Sequence, residues 1–366
     1  MFAQTFCQVS ISRICCVHKE WKANLLKKID NYRPTLADVA AEADVSAMTV
    51  SRALREPGRV SEETRNRINA AIEKLGYVPD PAARTLAAKR SDIIGVIVPS
   101  VTNSVFSDVM NGIYSVAENT PYQIQFGNSH YSPIEEERLL RTFLGQKPVG
   151  LIVSGIDQTP TSKALLEKAP CRVVQIMETA PDPIDMIVGF SHRDSAVAAT
   201  RHLLDQGYKK PGMLAARMDP RAQRRVEGFR QVATERGRWN EEAVVMTPAR
   251  SSVTLGGHLM ADLLSKVPET DAILCNNDDL ALGALFECQR RGIKVPEDMG
   301  ICGFNDLEMM AAAYPSLTSV RTFRSEIGKQ ATHMLLAALS GEGPAEMMHD
   351  VGFEVIARQS TQRRPG

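Results

Sequence analysis

Residues 35–54 read TLADVAAEADVSAMTVSRAL, and this stretch decides the fold of the amino-terminal part of the chain. Its first half places four apolar residues at the spacing of one helical face, namely Leu36, Val39, Ala40 and Ala43. Thr35, followed three residues later by Asp38, predicts a capping box at the start of this helix. Ser46 predicts the cap of a second helix, which runs from Ala47 to about Leu54. The stretch therefore predicts two short helices separated by a tight turn.

A third helix is predicted directly after these two. Ser61 marks its start and Gly76 marks its end, because serine favours the first position of a helix and glycine the position after its last turn. Its apolar face consists of Ile68, Ala71, Ile72 and Leu75. Two short helices and a third that closes a small core are typical of the helix-turn-helix motif. We therefore predict a DNA-binding domain over residues 33–78.

The next segment has the pattern of a hinge. Asp80 and Pro81 predict the start of a short helix over residues 82–88, and we assign residues 79–91 to the hinge. Together with this hinge, the chain resembles the LacI/GalR family of bacterial transcription regulators through three motifs in the same order and spacing: TLADVA at 35–40, VSAMTVSRAL at 45–54 and LGYVP at 75–79. The resemblance extends from about residue 34 to the end of the chain.

The resemblance implies that the second helix lies in the major groove of operator DNA and that the hinge helix lies in the minor groove. Arg52 then occupies a base-facing position and can bind guanine with two hydrogen bonds, whereas Ala47 and Met48 can offer only apolar contacts. Leu86 matches the leucine that wedges between base pairs. Asp80 stands where many relatives carry Asn. The predicted DNA contacts, which include phosphate contacts, are Thr35, Ala47, Met48, Thr49, Ser51, Arg52, Tyr77, Ala83 and Leu86.

Residues 92–366 alternate strand-like and helix-like segments. The strand-like segments form two series: 93–99, 122–126, 149–154, 172–177 and 186–190, and then 212–216, 243–246, 272–276 and 300–304. This alternation predicts parallel, doubly wound sheets in two lobes. Ligands of such folds bind beyond the carboxyl ends of the strands, so we expect an effector site between the lobes. The resemblance implies a body like a periplasmic sugar-binding protein, with chain crossovers near Phe190, Asn305 and Leu317.

The body also carries the resemblance, and its motifs are similar to those of the gluconate-operon repressors. The segments concerned are NDDLALGA at 277–284, VPED at 295–298, GFND at 303–306 and DMIVGF at 185–190. The resemblance implies an effector site composed of Ser100, Phe106, Glu178, Arg225, Asn277, Asn305 and Arg324.

Two of these positions favour an acidic effector. Arg324 stands where lactose-type relatives have an aromatic residue, and Asn305 replaces the usual Asp. Both differences make the cleft more positive, and guanidinium groups bind carboxylates in a bidentate manner. Glu178 and Asn277 would bind hydroxyl groups. We therefore expect Arg225 and Arg324 to converge on the carboxylate of a sugar acid such as gluconate. A regulator of the same fold that responds to a neutral sugar is the alternative.

Composition supports a regulator over other classes. The 366 residues contain equal numbers of basic and acidic side chains, 43 of each, but residues 1–91 have a net charge of +5 and the remainder −5. A basic head on an acidic body fits local DNA binding. No apolar run reaches the roughly 18 residues of a membrane span. Residues 1–32 are left as an unassigned extension without a signal-peptide pattern, which favours a cytoplasmic protein over a secreted solute-binding protein.

The chain lacks the motifs of the common enzyme classes. Its seven histidines are scattered without an HExxH pattern, and its seven cysteines form no CxxC pair. GxSxG, Walker and GxGxxG motifs are absent as well. We therefore expect no enzyme activity, no cofactor and no metal. No leucine heptad follows the body, so a homodimer on a palindromic operator is the expected assembly.

Overall fold

The computed structural model describes residues 33–79, 91–343 and 346–363. The chain divides into two compact units, Met1–Arg84 and Thr85–Gly366. The described part of the first unit consists of three helices: α1 (Leu36–Glu42), α2 (Ala47–Arg55) and α3 (Glu62–Leu75). A short 3-10 turn, Pro57–Arg59, follows α2.

Local hydrogen bonds start and end these helices as the sequence predicts. Thr35 and Asp38 form the capping box of α1, in which the Asp38 N–H donates to the Thr35 hydroxyl and the Thr35 N–H donates to the Asp38 carboxylate. The Thr49 N–H donates to Ser46 Oγ at 3.1 Å at the start of α2. Gly76 ends α3 with a left-handed φ of 61°. The three helices close a small core of Val39, Val50, Ile68, Ala71 and Tyr77.

The second unit is a two-sheet α/β structure. Its strands are β1 (Ile93–Val98), β2 (Gln123–Asn128), β3 (Gly150–Ser154), β4 (Arg172–Ile176), β5 (Met186–Gly189), β6 (Pro211–Ala216), β7 (Val244–Thr247), β8 (Ala272–Cys275), β9 (Gly300–Asn305), β10 (Thr318–Thr322), β11 (Met348–Asp350) and β12 (Phe353–Ile356). Its helices are α4 (Ser104–Ala117), α5 (Pro133–Gly145), α6 (Pro160–Glu167), α7 (His192–Asp205), α8 (Pro220–Glu235), α9 (Val253–Lys266), α10 (Asp278–Arg291), α11 (Glu308–Ala312) and α12 (Arg324–Ser340).

The strand order is β11-β5-β4-β3-β1-β2 in the first sheet and β12-β10-β9-β8-β6-β7 in the second. All recorded pairings are parallel except that of β12, which runs antiparallel to β10. The predicted parallel, doubly wound sheets in two lobes are therefore confirmed. The sequence pattern did not reveal β10, β11 or β12. Of these, β11 and β12 are short and their side chains are largely exposed or half-buried.

The chain passes between the sheets at three points, and only one of them was predicted correctly. It leaves the first sheet at Phe190, after β5, as expected. The predicted crossovers at Asn305 and Leu317 are wrong, because β9 and β10 are neighbours in the second sheet, with Thr318 opposite Cys302. The second passage lies at Phe323, between β10 and α12, and the third lies between β11 and β12.

Helix α12 packs against α4, and glycine makes this contact close. A Cβ atom on Gly112 of α4 would lie 2.1 Å from the Ser325 carbonyl oxygen, and one on Gly328 of α12 would lie 2.2 Å from the Val109 carbonyl oxygen. Larger residues would push the helices apart. This contact fixes the start of α12 beside the first lobe. Among the described helices, none is long and apolar enough to cross a membrane.

Candidate functional site

A cavity of about 80 Å³ lies between the two lobes of the second unit. The second lobe lines it with residues that directly follow strands, including Arg217 after β6, Asn277 after β8 and Asn305 at the end of β9. Phe106 and Tyr131 line it from the first lobe. Since the carboxyl ends of parallel strands meet at one edge of a sheet, this is the position that the fold favours for a ligand.

Arg225, on α8, is fixed by three contacts at the floor of this cavity. Its guanidinium carbon lies 3.7 Å from the ring centroid of Phe304. Its Nε donates to His192 Nδ1 at 3.3 Å, and its Nη1 donates to the Asn276 carbonyl oxygen. Loss of hydration lowers the pKa of Arg225 to about 10, so the group stays charged at neutral pH. The floor of the cavity therefore carries a fixed positive charge.

His192 acts as a neutral hydrogen-bond acceptor for that arginine. Its Nε2–H donates to the Met177 carbonyl oxygen at 2.8 Å, which assigns the free electron pair to Nδ1. Burial, reinforced by the charge of Arg225, lowers the pKa of His192 well below its ordinary value. A neutral ring adds no charge to the cavity, so Arg225 is not neutralised from this side.

Two further guanidinium groups, those of Arg221 and Arg217, line the cavity. Arg221 lies one turn before Arg225 on α8 and contacts the Asp219 carboxylate at 3.1 Å. Its guanidinium carbon lies 5.5 Å from the centroid of the Phe106 ring. The Arg217 guanidinium covers the Tyr131 ring at 3.8 Å. Arginines of the second lobe thus occupy the faces of both aromatic rings that the first lobe contributes.

The remaining walls offer amides and carboxyl groups. Asn277 Oδ1 accepts from the Leu280 N–H at 3.1 Å, so part of this amide caps α10. Asn305 is 6% exposed, and its side-chain amide forms no hydrogen bond with the described residues. Burial raises the pKa of Asp278 to about 6 and also raises that of Asp279. Because Asn305 lines the cavity and its amide is not used by the described residues, this amide is available to a ligand.

In the first unit, α2 separates buried from exposed positions. Val50 and Ala53 face the small core, whereas Ala47, Met48 and Arg52 are exposed. The Met48 side chain is 69% exposed and is therefore accessible to another molecule. The side chains of Thr49 and Ser51 are half-buried at the edges of this face.

Comparison with known proteins identifies the chain. Residues 35–80 match the bacterial regulatory proteins of the lacI family, and residues 200–361 match a periplasmic binding protein-like domain. The chain is 40% identical over 329 residues to the HTH-type transcriptional regulator GntR of Pseudomonas aeruginosa. The aligned residues cover 90% of this chain and 96% of that protein. It belongs to the LacI family.

Other LacI-family proteins show similar agreement. The HTH-type transcriptional regulator IdnR of Escherichia coli is 35% identical over 89% of this chain and 98% of its own. A crystal structure of a LacI-family regulator from Silicibacter pomeroyi superposes with a TM-score of 0.85 at 34% identity, over 90% of this chain and all of that one. The predicted family, fold and role as a DNA-binding transcriptional regulator are confirmed, and these relatives are regulators rather than enzymes.

The cavity contains some of the predicted effector residues of this LacI-family regulator and leaves out others. Phe106, Arg225, Asn277 and Asn305 line it together. Ser100 is buried nearby, where its hydroxyl lies 3.3 Å from that of Thr102. Neither Ser100 nor Glu178 is among the lining residues, and burial raises the pKa of Glu178, which lies 3.5 Å from Arg224.

Arg324 is directed elsewhere. Its Nε donates to Asp108 Oδ2 at 2.9 Å, and its Nη1 donates to the Asn305 carbonyl oxygen. The expected convergence of Arg225 and Arg324 on one ligand group is therefore not what the structure shows. The physical reason is that the Arg324 guanidinium is hydrogen-bonded to one acceptor from each lobe, and these contacts hold it outside the cavity.

The structure adds lining residues that the sequence reading missed: Tyr131, His192, Arg217, Arg221 and Asn276. Arg221 had a usable signal. It lies four residues before Arg225 on a helix that is capped by Asp219 and follows a predicted strand, so both side chains project from the first turns at the sheet edge. Tyr131 and Arg217 had none, because they meet through loops that are distant in sequence.

The predicted DNA contacts are placed as follows. Ala47, Met48 and Arg52 share the exposed face of α2, and Thr35 caps α1. Tyr77 packs into the core of the head. Ala83 and Leu86 lie outside the described residues. Within the described ranges, no group of three or more histidine, cysteine, aspartate or glutamate side chains could hold a metal ion.

Proposed function

We propose that the protein is a dimeric transcriptional repressor whose operator binding is controlled by a sugar acid, such as gluconate, held between the lobes. The observation that carries this proposal is that Arg221 and Arg225, one helical turn apart, line the same cavity. This cavity also contains the amide of Asn305, which forms no hydrogen bond with the described residues. The pair replaces the combination of Arg225 and Arg324 expected from the sequence.

Three arginines and three aspartates line the cavity, and the two arginines of α8, Arg221 and Arg225, form the part of its wall that favours an acid. A carboxylate removed from water needs charged partners, and the Arg221 and Arg225 guanidinium groups can supply them. Asp219 offsets part of the charge of Arg221, while neutral His192 offsets none of that of Arg225. The hydroxyl groups of the same ligand would be bound by Asn305, Asn277 and Asp279.

The aromatic rings argue against a neutral sugar as the main effector. Sugar-binding sites commonly stack an apolar sugar face on an aromatic ring, which requires a free ring face. Here the Arg217 and Arg221 guanidinium groups approach the rings of Tyr131 and Phe106. A neutral sugar would have to displace these cations from their rings, with loss of the cation–π contacts.

For DNA binding we propose the exposed face of α2 as the reader of base edges. Arg52 would supply directional hydrogen bonds, and Met48 and Ala47 would supply apolar contacts. The hinge residues Ala83 and Leu86 would act in the minor groove. The lac repressor dimer bound to operator superposes with a TM-score of 0.77 at 25% identity, over 90% of this chain. We accordingly propose a homodimer that acts on a palindromic operator in the cytoplasm.

Calorimetry tests the effector. We expect gluconate or 2-ketogluconate to bind more tightly than glucose or ribose, and Arg221→Gln to reduce acid binding by roughly 2–5 kcal/mol. Arg230→Gln is the matched control, since it removes the same charge from the same helix but contacts Trp239 instead of the cavity. A neutral sugar that binds more tightly than every acid would overturn the proposal, as would equal affinities of the Arg221 variant and wild type.

A further inference from the structure

The backbone at the end of β9 adopts an unusual conformation. Asn305 has a φ of 113° and Asp306 a φ of 53°, so two consecutive residues with side chains lie in the left-handed region. Such conformations are strained and persist only where the surrounding contacts enforce them. Because Asn305 lines the cavity, these two conformations determine the path of the backbone in that part of the cavity wall.

Separate side chains hold the two residues. The Asp306 carboxylate contacts Arg358 at 2.6 Å and Arg321 at 2.9 Å, and the Asp306 N–H donates to Ser319 Oγ at 3.1 Å. The Asn305 carbonyl oxygen accepts its hydrogen bond from Arg324. Arg324 is therefore the one described side chain that holds the backbone of Asn305 itself.

Arg324 also connects Asn305 to the other lobe. It is the first residue of α12, directly after the chain passes from the second sheet to the first lobe, and its side chain is 11% exposed. Its second partner, Asp108, belongs to α4 of the first lobe. The Arg324 guanidinium thus joins the end of β9 to α4, while remaining outside the cavity.

We propose that Arg324 is a positioning residue, which holds Asn305 in its left-handed conformation so that the free amide of Asn305 faces the effector, and which makes this orientation depend on Asp108 across the lobes. The proposal rests on the proposed function in one respect, the identity of the effector as a sugar acid. It assigns the carboxylate to Arg221 and Arg225, and it gives Arg324 an indirect role.

Double-mutant cycles with gluconate separate an indirect role from a direct one. We expect Arg324→Gln and Asn305→Gly each to weaken gluconate binding about tenfold, and the double variant to bind no worse than Asn305→Gly alone. In the double variant Arg221→Gln/Arg324→Gln, the factors by which the two single substitutions weaken gluconate binding should multiply in full, because the two arginines serve different groups. Additivity with Asn305→Gly, or coupling with Arg221→Gln, would mean that Arg324 acts on the ligand directly and would overturn the proposal.

Hydrogen exchange in the free protein tests the positioning role without a ligand. Arg324→Gln should accelerate exchange of the Asp306 and Leu307 N–H groups at least tenfold, and Arg324→Lys should restore part of the protection. Lys329→Gln, which removes a positive charge from the same helix, is the control and should change nothing. Unchanged exchange in Arg324→Gln overturns the proposal. Accelerated exchange in Arg324→Gln, together with a wild type that binds no sugar acid, would reject the proposed effector and retain the positioning role.

Discussion

The functional side chains of the head and those of the cleft have opposite surroundings. On α2, Arg52 and Met48 project into solvent, and the Arg52 guanidinium forms no hydrogen bond or ion pair with the described residues. In the cleft, Arg225 has three partners, and Asp278 accepts hydrogen bonds from Ser319 and Leu307. DNA-reading groups can remain hydrated until DNA arrives, whereas groups in a cavity need partners within the fold.

Because of this difference, substitutions in the two regions should affect ligand affinity and folding stability in different ways. Substitutions on the exposed face of α2 should change DNA affinity and leave folding intact. Substitutions of cleft groups that are hydrogen-bonded within the fold, such as Arg225, should change both effector binding and folding, because each removed group leaves a partner without its hydrogen bond.

Arg225→Gln should show the strongest coupling of the two properties. We expect the free energy of unfolding of the body to fall by about 3–4 kcal/mol, because the Asn276 carbonyl and His192 Nδ1 lose their donor and Phe304 loses its covering cation. Gluconate binding should be lost at the same time. Urea denaturation and calorimetry of one preparation measure both. A variant that loses gluconate binding at unchanged stability would show that Arg225 is not structural, and the contrast would fail.

Asp278 should make the stability of the body depend on pH. Burial raises the pKa of its carboxyl to about 6 from an unfolded value near 3.8, so between pH 4 and pH 6 the folded state holds a proton that the unfolded chain releases. Stability should therefore fall as pH rises through this window, by about 3 kcal/mol. In Asp278→Asn, an amide could accept from the Leu307 N–H and donate to Ser319, and the slope between pH 4 and pH 6 should decrease. An unchanged slope would mean that other carboxyl groups dominate.

The same contrast explains which features the sequence could predict. The head is specified by local signals, since Thr35, Ser46, Ser61 and Gly76 act within a few residues of their positions, and all three helices were predicted with their caps. The alternation of strands and helices also predicted the two sheets. Arg225, Asn277 and Asn305, which the resemblance implied as effector residues, line one cavity together.

The errors concern contacts between distant parts of the chain. Arg324 was assigned to the ligand, yet its orientation is set by Asp108, 216 residues earlier in the sequence. The meeting of Tyr131 with Arg217 likewise depends on how the lobes close. No spacing rule reports such pairs, because they arise from tertiary packing.

Arg52→Ala tests the other side of the contrast, in the head. Specific operator binding should weaken by about 1–3 kcal/mol through loss of bidentate contacts to a base edge, while binding to random DNA and the free energy of unfolding should remain almost unchanged. Gel-shift titrations on both DNAs at one salt concentration, together with thermal unfolding, measure these quantities. Equal losses on operator and random DNA would indicate a phosphate contact in place of base reading.

The smallest loss of stability should follow the removal of a helix cap, and here the head and the body should respond alike. Ser46 caps α2 in the head and Ser252 caps α9 in the body, and both side chains are exposed. Each Oγ accepts from the N–H three residues later at 3.1 Å, that of Thr49 or that of Leu255. Because a cap satisfies a local donor and does not depend on the surrounding fold, Ser46→Ala and Ser252→Ala should each cost about 1 kcal/mol of the stability of their own unit. Denaturant unfolding monitored separately for the head and the body measures the two costs. If Ser252→Ala cost several times more than Ser46→Ala, the greater sensitivity of the body would extend to its exposed helix ends, and burial of charge in the cleft would no longer account for the difference between the two regions.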